Sequence, residues 1–99
     1  MKKENQILLL KQLNEKLGNK GDSIIKVGSK LEGKFNTMLD NYTDHNYLIT
    51  EDENNIYIVE MDKTYTEEIP MTEKESLDEF KDIEDLVDFF TALQIKVIK

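Results

Sequence analysis

Apolar residues recur along this chain with two different periods, and the switches between them mark its elements. From residue 4 to 17 the period is helical. At about 100° per residue Leu9, Leu10, Leu13 and Leu17 share one face, Ile7 and Leu8 flank it, and Lys11, Asn14 and Glu15 lie outside. Gly18 follows as the expected C-cap, because glycine takes the left-handed conformation without a Cβ penalty. Asn19-Lys20-Gly21-Asp22 then reads as a turn. Ser23 to Val27, with Ile24, Ile25 and Val27, reads either as a short strand or as a short buried helical turn, and Gly28 ends it.

Between Ser29 and Tyr42 the pattern points two ways. Leu31, Phe35, Met38, Leu39 and Tyr42 fall at helical spacing, and Ser29 with Glu32 forms a capping-box pattern. That spacing predicts a helix. Gly33, Asn36 and Thr37 are weak helix formers, so a strand pair broken near Gly33 is the competing reading. Asp40 to His45 is a polar connection. The period then becomes strand-like: two runs rich in Tyr, Ile and Val, about 46–50 and 55–61, flank the polar loop Glu51 to Asn55. Aromatic and β-branched residues suit a pleated, half-buried surface, and Asn-Asn tolerates hairpin backbone, so this is a β-hairpin. Asp62-Lys63 makes a further turn, Thr64 to Ile69 alternates as a third strand, and Pro70 closes it.

Helical periodicity returns near residue 76. Ser76 is the expected N-cap with Glu79 completing a capping box, and Thr72 with Glu75 offers a start one turn earlier. Phe80, Ile83, Leu86, Val87, Phe90 and Leu93 form one apolar arc, while Asp78, Glu84, Asp85 and Asp88 occupy the opposite one. Gln94 to Lys99 alternates and reads as a short final strand. The expected fold is therefore α+β, one domain over residues 1–99. It has an N-terminal helix, an antiparallel sheet of three or more strands with an acidic hairpin, a C-terminal amphipathic helix and a short final strand. Leu10, Leu13, Leu17, Ile58, Phe80, Val87 and Phe90 are its expected core.

Composition narrows the chemistry. The chain of 99 residues has no Cys, hence neither disulfides nor thiolate metal sites. Its thirteen basic residues are all Lys, and the net charge is −8. The apolar run Ile7 to Leu10 is too short for a signal-peptide core or a membrane span, so a cytoplasmic protein without membrane association is expected. His45 is the only histidine, and no neighbour in sequence supplies a nucleophile or paired acid. It reads as an exposed loop residue. The glycines fit no phosphate-binding loop and the serines no nucleophile elbow. Asp40, Asp44, Glu51, Asp52 and Glu53 offer oxygen ligands, but no window has calcium-loop spacing. Neither catalytic residues, a metal nor a cofactor is expected. Tyr47, Tyr57 and Tyr65 recur on expected strands among acids rather than in a basic groove, which favours packing over base stacking.

Charge is distributed unevenly. Residues 1–34 hold eight Lys against four acids, whereas residues 51–88 hold fifteen acids against three Lys. Such a chain is a poor binder of duplex DNA, whose affinity for proteins comes from basic groups, but suits a partner with a basic nucleic-acid-binding surface. The candidate contact residues are Glu51, Asp52, Glu53, Glu60, Asp62, Glu67, Glu68, Asp78, Asp82, Asp85 and Asp88. In size, charge and layout, with Glu51-Asp52-Glu53 on a hairpin and Asp78, Asp82, Asp85 and Asp88 on a terminal helix, the chain resembles small phage-encoded anti-CRISPR inhibitors. The resemblance implies a protein that occupies the DNA site of an RNA-guided nuclease. Two other readings fit parts of the pattern. One is an immunity protein that neutralises a toxin nuclease. The other is a winged helix-turn-helix regulator whose recognition helix would span 30–42 and carry Lys30 and Lys34.

Overall fold

The computed structural model describes residues 2–36, 42–61 and 70–98. The expected turn at Asp62-Lys63, the expected strand 64–69, and Asp62, Glu67 and Glu68 lie outside them. The described elements are α1 (Lys3–Leu17), β1 (Lys30–Asn36), β2 (Tyr42–Glu51), β3 (Ile56–Met61), β4 (Pro70–Ser76), α2 (Ile83–Ala92) and β5 (Lys96–Ile98). The strands form one antiparallel sheet in the order β4-β3-β2-β1-β5. The expected α+β architecture, with helices near both ends and a short last strand, is the one observed.

Both helices bury their apolar stripes on the same sheet face. Leu9, Leu10 and Leu13 of α1 and Leu86 and Phe90 of α2 pack with Leu31, Tyr47, Ile49, Ile56, Ile58 and Leu77. Strand alternation selects that face, since Leu31 lies opposite Tyr47 and Ile49 opposite Ile58. Of the expected core, Leu10, Leu13, Ile58 and Phe90 are fully buried, whereas Leu17, Phe80 and Val87 are partly buried at its margin. Gly18 caps α1 in the left-handed conformation, at φ 69°. Beyond a short 3-10 turn (Gly21–Ser23), the segment at Ile25 is neither strand nor helix. It is extended and held by a side chain: Asn14 donates to the Ile25 carbonyl at 2.8 Å and accepts its N–H at 2.7 Å. Ile25 thereby enters the core with its backbone satisfied.

Several expectations are corrected. The stretch from residue 30 to 36 is strand β1, not helix, and it continues through Gly33 rather than breaking there. Leu31 and Gly33 turn inward while Lys34 is exposed, a period of two. Pairing with β2 along its whole length outweighs the helical spacing of a segment already poor in helix formers. Gly33 has a packing role. A Cβ there would lie 3.1 Å from the Leu93 carbonyl oxygen and 3.1 Å from Ile95 Cγ1, so its absence lets the end of α2 approach the sheet. Likewise, residues 42–45, expected within a polar connection, belong to β2.

Second, Pro70 does not mark the end of strand structure: it belongs to β4, opposite Met61, and that strand runs on to Ser76. The first position of a strand tolerates a residue with no N–H. Third, the C-terminal helix begins at Ile83 rather than at Ser76. Ser76 ends β4, and its hydroxyl accepts from Asp78 N–H, capping only a 3-10 turn (Leu77–Glu79). Phe80 is then extended, with ψ 132°, and Asp82 caps the true helix by accepting from Asp85 N–H at 3.0 Å. Thr72 and Glu75 lie within β4. The break lets Leu77 enter the sheet core while Phe80 packs edge to face on Phe89, 5.6 Å between centroids. One continuous helix from Ser76 would leave β4 without its last pairing, Ser76 opposite Tyr57.

Candidate interaction surface

The acidic hairpin is the part of the surface most firmly built from below. Asp52 organises its own loop: one carboxylate oxygen accepts from the N–H groups of Asn54 and Asn55, each at 2.8 Å, and the other accepts from the Tyr57 hydroxyl at 2.8 Å. Its N–H donates to the Asn55 carbonyl at 3.0 Å. This is an Asx turn, which the short Asp side chain favours. Helix α1 then fastens the loop from the side. Gln6, fully buried, donates to Asn55 Oδ1 at 2.9 Å and accepts the Ile56 N–H at 2.7 Å. Lys3 donates to the Asp52 carbonyl at 2.7 Å and pairs with Glu51 at 2.9 Å.

Strand direction gathers further acids at this end of the sheet. β3 starts just after the loop, and β4 runs against it with Ser76 opposite Tyr57, so β4 ends where β3 begins. The turn carrying Asp78 and Glu79 therefore follows directly from the hairpin end, whereas the start of α2 lies beside the C-terminal end of α1, where Glu84 meets Lys16. Glu53, Asp78, Glu79, Asp82, Glu84, Asp85 and Asp88 are all exposed.

Several of these acids already have work. Asp52 holds the loop and Asp82 caps α2. Asp85 accepts from Lys81 N–H at 3.3 Å, and Glu84 pairs with Lys16 at 3.4 Å. Exposed pairs of this kind contribute about 0–1 kcal/mol, so they restrain carboxylates without masking them. Glu53, Glu79 and Asp88 are exposed and have no such engagement among the described residues. Glu79 was absent from the sequence-derived set because the helix expected from Ser76 assigned it to capping.

Glu60 does not join this end. It lies opposite Tyr47 on β2, on the helix-covered face, and its carboxylate meets His45 Nδ1. His45 thus sits on a strand with an acid partner, rather than in an exposed loop. The His45 and Tyr47 rings stack at 6.4 Å. The partner acid was absent from the sequence reading because it is fifteen residues away. Only the hairpin register brings it near. Among the described residues no group of three or more His, Asp and Glu is arranged to hold a metal ion, and no helix is long and apolar enough to cross a membrane.

Tyr47 is the perturbed group of this region. Burial, then the charges of Glu60 and Glu75, push its phenol up to about 12. A native state that keeps a proton the unfolded chain would release is favoured by protonation. Its contribution is complete below pH about 10 and declines as pH rises from about 10 to about 12. Urea titrations across that window should show stability falling with pH, with a shallower fall for Tyr47→Phe. Equal slopes for both proteins would remove Tyr47 as the cause.

Comparison with protein-family models, curated proteins and solved structures returns no match for this chain.

Proposed function

We propose that the protein is a protein-binding inhibitor whose acidic hairpin end blocks a basic nucleic-acid-binding surface of its partner, in the manner of anti-CRISPR proteins. The observation that supports this reading is the fastening of the loop by Gln6 and Asp52. A loop fixed before binding loses little further conformational entropy when it docks. The outward charges of Glu53, Glu79 and Asp88 then steer association with a cationic groove. The winged-helix alternative loses its central element, because the segment that would be its recognition helix is β1.

The test is a pull-down from lysate of the source cells. The retained partners should be nucleic-acid-binding proteins, released both by salt and by added DNA or RNA. The combined variant Glu53→Gln, Glu79→Gln, Asp88→Asn should bind at least tenfold more weakly, a change of about 1.4 kcal/mol. Its melting temperature should stay level or rise, since none of these three side chains holds the fold. Retention of the same proteins, at the same salt, by the neutralised variant would sink the proposal.

A further inference from the structure

Helix α1 carries apolar residues on two sides. Its buried side holds Gln6, Leu9, Leu10 and Leu13. At about 100° per residue, Glu4, Ile7, Leu8 and Lys11 share a second stripe roughly opposite the first. Ile7 is 54% exposed and Leu8 51%. A helix with one partner layer has polar residues on its far side. The neighbouring segment continues the patch. Ile24 and Val27 are exposed as well, and with Ile7, Leu10, Ile25 and Ile56 they line an open groove of about 370 Å³. Single exposed apolar residues are ordinary on a protein surface. Here the exposed large apolar residues among the described ones are Ile7, Leu8, Ile24 and Val27, and they gather on one face, which marks a contact surface.

The charges on the outer stripe select its occupant. Glu4 and Lys11 stand on either side of Ile7 and Leu8, one heptad apart and therefore on the same face. Both are exposed, and neither forms an ion pair among the described residues. The order acid, apolar pair, base is complementary to its own reverse. A second α1 laid antiparallel, with the midpoint between residues 7 and 8, sets Ile7 opposite Leu8 of the other copy and Glu4 opposite its Lys11. A parallel pair would instead set Glu4 against Glu4 and Lys11 against Lys11. Apolar packing alone would accept many partners, whereas the order of the two charges fits this helix reversed.

We propose that this face of α1 binds a second copy of the chain about a two-fold axis, with the two helices antiparallel. Each contact of such an interface occurs twice, so two Glu4–Lys11 pairs flank a centre of Ile7 and Leu8 from both copies. Ile24 and Val27 widen the apolar area beside it. A patch of this size is small against the roughly 1,200–2,000 Å² of stable complexes, so the dimer is weak and reversible. The proposal is independent of the inhibitory role of the hairpin end. That end is fastened by Lys3 and Gln6, which lie off this stripe, and it stays open in the dimer.

The experiment is sedimentation velocity of the full chain at physiological salt, which screens the repulsion between two copies of net charge −8. Between about 5 μM and about 1 mM, the range of a weak dimer's Kd, the sedimentation coefficient should rise reversibly from monomer toward dimer. Leu8→Gln should weaken association at least tenfold and leave the circular dichroism and melting temperature unchanged, since Leu8 is exposed. Charge reversal tests the antiparallel arrangement. Glu4→Lys alone and Lys11→Glu alone each set like charges opposite one another and should weaken association at least tenfold. An equimolar mixture of these two variants pairs unlike charges at both ends and should associate at least as well as the parent chain. A chain that stays monomeric throughout, a dimer that Leu8→Gln leaves intact, or a mixture that associates no better than its components would each overturn the proposal.

Discussion

Replacing Phe90 by Ala is expected to lower the free energy of unfolding by about 3–5 kcal/mol, the usual range for truncating a core aromatic. Phe90 is 1% exposed and belongs to the cluster that joins both helices to the sheet. Its ring also meets Phe89 edge to face at 5.8 Å. The loss combines forfeited burial with a cavity that strands on one side and helices on the other cannot readily close. A domain of this length typically holds about 5–15 kcal/mol in total, so the variant should sit near the edge of folding. Urea denaturation of both proteins measures the difference. A change below about 0.5 kcal/mol would mean that Phe90 does not anchor the core.

Gln6→Ala is expected to cost about 2–4 kcal/mol, from a lost buried side chain and a stranded Ile56 N–H. The mechanism differs from that of Phe90 because the damage is directional. Gln6 joins α1 to the hairpin, so its loss should loosen the Asn55–Ile56 backbone before it loosens the sheet. Amide exchange at Ile56 should rise more than exchange at Val59, which is paired on both sides, with Leu48 of β2 and Lys74 of β4. If the two amides accelerate equally, Gln6 is only a space-filling residue. A loosened loop should also weaken any partner held through preorganised acids, without changing the net charge.

The elements most legible in the sequence were those with a single dominant period. Helix α1 carries one apolar stripe and one glycine cap, and the β2–β3 hairpin carries aromatic and β-branched runs around Asn-Asn. The segment 30–36 misled because Leu31 and Phe35 satisfy helical spacing while Gly33 answers a demand from α2, more than fifty residues away. No local pattern reports that demand. The end of β4 misled in a similar way. Two caps, Ser76 and Asp82, compete there, and cross-strand pairing of Ser76 decides between them. In the candidate surface, the acid-rich composition was visible, but not its division of labour. Asp52 and Asp82 read as contact residues and turn out to hold backbone, and Glu79 read as a cap and faces outward. Gln6 left a trace that could have been followed: it falls on the same helical face as Leu9, Leu10, Leu13 and Leu17, where a polar side chain needs a buried partner.

The close approach at Gly33 also governs how the sheet ends. β5 pairs with β1 only from Lys30 to Glu32, which would leave the next stretch of β1 open on that side. The Lys34 N–H instead donates to the Leu93 carbonyl at the end of α2. A backbone donor that a foreign strand would use to dock is thereby taken by the chain's own helix terminus. Fibril growth or strand exchange along β1 would have to begin by prising that terminus away, so the same missing Cβ that admits α2 guards the molecule against templating copies of itself.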